Sequence, residues 1–328
     1  MMNRRQSGKV SQQFYSLTRK TEFSIIIFTL LIYVIFSVLA VNFNKLTNIM
    51  VIVQQVAING IVALGVTIVI MIGGMDLSVG SIVTLCGVCA GMMDNAGFPL
   101  WIIITLVIIV GISAGTINGL LITNLKIPDI IVTLATMNIY RGLAVIITDS
   151  RWLSGFSQEF LAIGSTRNGF LAIPVLVFVA TILVFAFMLH MTSFGRVLYA
   201  LGGNRQAAQL MGLDVNGIRI KVYALNGLLL ALAGLILPSM IGNIQAATAA
   251  SRLQFETMGS ALIGGANIFG GAGSVAGTVS GVFLMGIIRN GLIQVSISEY
   301  WLHFITGAVI LLALIANLLQ NSRKRRKV

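Results

Sequence analysis

Two cysteines, Cys86 and Cys89, stand in a C-x-x-C spacing, and two histidines, His190 and His303, complete the short inventory of side chains suited to metal ligation or nucleophilic attack. A redox or zinc site would need a second thiol pair or a nearby imidazole. Neither accompanies the pair, which lies in an apolar run, so both cysteines read as small apolar helix residues. The histidines are far apart in sequence, and no H-E-x-x-H motif joins them. No G-x-S-x-G nucleophile elbow occurs, nor any G-x-x-x-x-G-K-[ST] loop able to cradle nucleotide phosphates. The chain offers neutral polarity in apolar surroundings: Gln54, Gln55, Asn59, Asn118, Asn138, Asn226 and Asn267, with Asp76 nearly the lone acid among them. Amides donate and accept hydrogen bonds without carrying charge. Inside apolar helices they either line a path for a polar solute or bond helix to helix.

The elements that would position these groups follow from composition. Of 328 residues, 57% are hydrophobic and 9% charged, against about 25% charged in soluble domains. Apolar runs of about 20 residues, enough to cross a bilayer, recur along the chain. They predict an all-α, polytopic membrane protein with about ten transmembrane helices, at 23–41, 49–72, 78–93, 98–122, 128–148, 169–191, 221–242, 255–268, 273–294 and 300–318. Pro99, Pro128 and Pro174 fall at the starts of runs, where a missing N–H costs little, and Pro238 lies late in its run. The first run is too long for a signal-peptide core and no A-x-A-like site follows it, which predicts a retained first helix. The resulting domains are an N-terminal segment 1–22, a transmembrane domain 23–318 and a basic tail 319–328.

Basic residues set the orientation. An even span count puts both termini on one side, together with the cations of segments 1–22, 195–221 and 319–328 and with Lys126. The other side holds only Lys45, Arg151, Arg167 and Arg252. That bias predicts cytoplasmic termini, and the net charge of +12 then reads as topology and contact with anionic lipid, not nucleic-acid binding. The segment Gly195 to Lys221 is the longest charged stretch between the termini. It carries a compact helix signal: Asn204 as N-cap, Arg205 to Met211 as body, and Gly212 past its end. A short exposed helix on a cytoplasmic loop is a docking element.

Several segments together resemble the permeases of ribose/xylose/arabinose-type bacterial ABC importers. They are GGMDLSVGS at 73–81, KIPDIIVTLATMNIYRG at 126–142, FGRVLYALGGNRQAAQLMGLDVNGIRIK at 194–221 and GSALIGGANIFGGAGSVAGTVSG at 259–281. The resemblance implies an ABC importer permease fold in the bacterial inner membrane. It implies a cytoplasmic ABC ATPase that binds ATP and Mg, a periplasmic sugar-binding protein, and a second permease chain, identical or related. No cofactor is expected in this chain. Gln206-Ala207-Ala208 followed by Gly212 looks like the EAA-x-x-x-G coupling sequence, with Gln in place of Glu and no I-x-L-P after it. Coupling to the ATPase is therefore expected within 193–221, at Gly203, Asn204, Arg205, Gln206, Ala207, Ala208, Met211 and Gly212. The alanines would allow close approach of a partner. The neutral amides then suit a sugar path by alternating access.

Asp76 has two readings, a cap on the following helix or a group on the path, and the cap is preferred. Gly111, Gly115, Gly119 and Gly273, Gly277, Gly281 recur every four residues and predict close helix packing. Arg141 and Arg289 are expected near interfaces or carbonyl-rich helix ends. An ion-coupled secondary transporter is the alternative, but that class usually shows intramembrane acidic or histidine relays, which are missing here. An enzyme acting on lipid-linked sugar would need clustered carboxylates or a nucleophile–base pair, and neither is apparent.

Overall fold

The computed structural model describes residues 23–164, 172–297 and a scatter of helical residues between 301 and 315. The segment 1–22, the tail 319–328, most of the last predicted span, Arg167 and His303 lie outside the described residues. Helices dominate: α1 (Phe23–Leu39), α2 (Leu46–Met71), α3 (Val79–Asn95), α4 (Leu100–Asn124), α5 (Asp129–Thr148), α6 (Gln158–Gly164), α7 (Ile173–Met191), α8 (Ser193–Gly203), α9 (Arg205–Leu210), α10 (Val215–Ile241), α11 (Leu253–Ile263) and α12 (Val275–Gln294). A three-residue ribbon pairs β1 (Trp152–Ser154) with β2 (Asn243–Gln245) antiparallel, Leu153 opposite Ile244.

Six of the described helices, α2, α4, α5, α7, α10 and α12, are long and apolar enough to cross a membrane. At about 1.5 Å per residue, the 26 residues of α2 far exceed the roughly 30 Å of hydrocarbon. The predicted span 255–268 is different. Only Leu253–Ile263 is helical there, 11 residues, or about half a crossing. Glycines with left-handed backbone, Gly265, Gly270 and Gly271, then turn the chain toward α12. No side chain other than hydrogen fits such φ values without strain.

Helices α3 and α11 share a second feature: each follows an unwound stretch, 72–78 and 246–252 respectively. Unwound backbone within a bundle must be buried in protein or line a cavity. The first is buried at Asp76 and Ser78, and the second packs against the first turn of α3, where a Cβ on Gly80 would stand 2.2 Å from the Ala250 carbonyl oxygen. Arg141 of α5 supplies donors to the second stretch, its Nη1 reaching the Ala246 and Ala249 carbonyls at 2.8 and 2.7 Å. This is a carbonyl-rich site of the expected kind.

The glycine ladders are contact surfaces of backbone on backbone. A Cβ on Gly115 would lie 2.1 Å from the Tyr223 carbonyl oxygen, and one on Gly281 2.1 Å from that of Ser260. Thus α4 lies against α10 and α12 against α11, at distances only glycine permits. Helices α2, α10 and α12 are the most buried of the crossing helices, whereas α4, α5 and α7 keep apolar faces outward, as a lipid-facing shell would.

Candidate functional site

At one end of the bundle the predicted short helix is present. Asn204 Oδ1 accepts from the Ala207 N–H at 2.9 Å, satisfying a donor that the first turn leaves open. Gly212 follows with φ +81°, the left-handed conformation that ends a helix. Preceding it, α8 is a further helix that the sequence reading left inside the polar segment. Its Gly202 presses on the end of α2 beside Gly271, whose N–H donates to the Met71 carbonyl at 2.9 Å.

The residues expected to couple do not share one role. Gly203, Asn204, Arg205, Gln206, Ala207, Met211 and Gly212 are exposed. Ala208 is fully buried, so it seats α9 on its own chain. Leu210, which sequence reasoning passed over, is 90% exposed beside Met211 at 69%. Two large apolar side chains are thus held outward at a capped helix. Partial burial lowers the pKa of Arg205, with the nearby Arg219 charge adding to the effect and Asp129 opposing it.

Behind α9 lies a polar network that joins three helices. Arg219 of α10 donates from Nη2 to both carboxylate oxygens of Asp129 at the start of α5. Tyr223 Oη donates to Asp129 Oδ2 at 2.8 Å and lies 3.1 Å from the Met75 carbonyl, in the break before α3. One turn further along α10, Asn226 Nδ2 donates to Asp76 Oδ2 at 2.9 Å. Asp76 Oδ1 accepts from the Ser78 N–H and hydroxyl, a local turn ahead of α3; the N-cap of α3 is Ser78, with no side-chain cap bond, so Asp76 does not cap that helix as expected. Asn118 Nδ2 donates to Ser78 Oγ at 2.8 Å. Asp76, Asn118 and Asn226 are thus buried together: Asn226 bonds Asp76 directly, and Asn118 is linked to it through Ser78.

A cavity of about 450 Å³ lies between α2, α10, α11 and α12, in the half of the bundle nearer the ribbon. Of the amides expected on a path, Gln55 and Asn59 line it, along with Arg252, Glu256 and Arg289. Gln54 is buried beside them in the sequence of α2 but does not line the cavity. Asn138 is exposed on α5 and bonds only its own helix, at the Leu134 carbonyl. Asn267 sits in the glycine turn, its Oδ1 accepting from the Phe269 N–H. Sequence reasoning missed Glu256 and Arg289 as cavity groups. Its available signal was two opposite charges placed at or within apolar runs, and their proximity is visible only once α11 and α12 are folded together. It also missed the reciprocal amide pair of Asn48 and Asn290, which ties α2 to α12.

A polytopic helical bundle with unwound breaks, a cavity lined by polar and apolar side chains and an exposed capped helix is the architecture of a membrane permease. Residues 48–314 match the family model of the branched-chain amino acid transport system / permease component, and the chain belongs to that family. It is 38% identical to the ribose import permease protein RbsC of Haemophilus influenzae over 288 residues, 86% of this chain and 88% of that one. The RbsC of Bacillus subtilis is likewise 38% identical over 289 residues, with the same coverage of each chain. The autoinducer 2 import system permease protein LsrC of Photorhabdus laumondii is 35% identical over 294 residues, 90% of this chain and 88% of that one. No solved structure matches the chain. The resemblance to ribose-type sugar permeases of ABC importers is borne out, and the chain is a multi-pass transport permease, not an enzyme.

Proposed function

We propose that this chain forms the translocation path of an ATP-driven, binding-protein-dependent importer of a small polyhydroxylated solute of the ribose kind, working by alternating access. The observation that carries this reading is α9: a capped helix, seated on the bundle through Ala208 and presenting Leu210 and Met211 outward. Its lack of any phosphate-binding loop assigns ATP and Mg to a partner ATPase, on which α9 docks. The solute class rests on the relatives named for ribose and autoinducer 2 import.

In this reading the α9 end and both termini face the cytoplasm of a bacterial inner membrane, by the distribution of basic residues. A solute-loaded binding protein meets the ribbon end. A second permease chain, identical or related, completes the assembly. Movement of α9 passes to α10 and, through Arg219, Tyr223 and Asn226, to α5 and the break before α3. The path itself holds solute weakly, because tight binding would slow release.

Reconstitution tests this. Liposomes containing the permease and its ATPase, with ribose-loaded binding protein on the opposite side, should hydrolyse ATP faster and accumulate ribose. ATP hydrolysis indifferent to the loaded binding protein refutes the reading.

A further inference from the structure

The cavity beside α11 falls in the range of roughly 300–1,000 Å³ usual for small-molecule sites, at about 450 Å³. Gln55 lines it, and Gln55 Oε1 is a buried acceptor with no donor among the described residues. Such an atom carries an uncompensated desolvation cost, which a donor entering the cavity would remove. Glu256 and Arg289 also line it. Arg289 Nη1 donates to both Glu256 oxygens at 2.9 and 3.0 Å, and Asn59 Nδ2 donates to Oε2 at 3.3 Å. Ionisable groups among membrane-crossing helices face the bundle interior or a water-filled space. Arg289 remains 45% exposed and Glu256 18%, so both keep free surface. A guanidinium has five N–H donors and a carboxylate about four acceptor sites. The pair therefore presents spare donors beside a spare acceptor in fixed register, the complement of two neighbouring hydroxyl groups. Ile58, Met240 and Leu292 are among the apolar side chains of the remaining lining, with surface suited to C–H groups.

We propose that this cavity holds the solute, and that Glu256 with Arg289, steadied by Asn59, binds adjacent hydroxyls of a neutral polyhydroxylated compound while Gln55 Oε1 accepts from a third. The assignment rests on the importer reading above and adds the residues that recognise the cargo inside the permease. Selectivity is then shared with the binding protein.

The test uses the full reconstituted assembly with ribose as probe, measuring both ATP hydrolysis and ribose delivered per ATP. Glu256→Gln should lower ribose delivered per ATP by about tenfold. The charge-reversed double variant E256R/R289E restores attraction between α11 and α12 but removes the acceptor beside Asn59, and should remain defective. Gln55→Leu removes an unpartnered acceptor at little change in volume; it should melt no lower than wild type yet deliver less ribose per ATP. Unchanged delivery in Glu256→Gln or Gln55→Leu, or recovery in the double variant, overturns the proposal and leaves the pair as a brace. Absence of stimulated hydrolysis in the wild-type assembly is a separate failure. It removes the importer reading, and this assignment with it.

Discussion

Asn226 and Asp76, 150 residues apart in sequence, meet side chain to side chain at 2.9 Å, so that α10 holds the unwound turn before α3 through one buried amide. Replacing Asn226 with Leu would strand an Asp76 oxygen in the interior. A lost buried partner costs about 1–3 kcal/mol, so Asn226→Leu should melt clearly below wild type in detergent. Asn138→Leu is the control, since that amide bonds only its own helix, and it should melt near wild type.

Gly115 is a matching test of backbone packing. A methyl group there would fall 2.1 Å from the Tyr223 carbonyl oxygen, whereas Gly142 has nothing within 4 Å. Gly115→Ala should force α4 from α10 at a cost of about 1–3 kcal/mol, visible as a lower melting temperature and poorer membrane yield. Gly142→Ala should stabilise slightly, because alanine favours a helix by up to about 1 kcal/mol over glycine.

The Arg219–Asp129 pair is the strongest ionic contact behind the docking helix, with side chains only 7% and 17% exposed. Removing one member of a buried pair leaves a charge unpaired, at about 3–5 kcal/mol. Arg219→Gln should fall at the low end, since Asp129 keeps some solvent and the Tyr223 hydroxyl. Its uptake should drop more than its stability accounts for, because Asp129 links α10 to α5. Equal losses in folded yield and in uptake would reduce the pair to a structural role.

Surface and seat can be separated within α9. Leu210→Asp changes a side chain that is 90% exposed, so its melting temperature should match wild type while solute-stimulated ATP hydrolysis falls by about tenfold or more. Ala208→Glu instead forces a charge into a buried position and should lower the melting temperature first. If Leu210→Asp couples normally, α9 is not the docking element.

The helical membrane class was legible from hydropathy alone, because bilayer thickness imposes a minimum length on any crossing segment. So was the α9 cap, since Asn204 and Gly212 act through backbone geometry local to their own turn. The preferred cap role of Asp76 was not met, because its carboxylate closes a local turn at Ser78 and reaches across to Asn226 instead of accepting from the first turn of α3. The span expected at 255–268 is helical only as far as Ile263, because apolar glycine-rich sequence satisfies hydropathy as well in a buried turn as in a helix. The ribbon between β1 and β2 was likewise invisible, being two three-residue strands distant in sequence.

By itself, then, the sequence determined what depends on neighbours along the chain: spans, charge bias, caps and the four-residue spacing of the glycines. Only the tertiary structure decided which polar residues share a space. Gln55 and Asn59 line the cavity with Glu256 and Arg289, while Asn118 and Asn226 are drawn into the network around Asp76. All four are neutral amides within apolar helices, alike in local context. What separates them is the face each helix turns toward its neighbours, and that is set by the close approach of α4 to α10 and of α12 to α11.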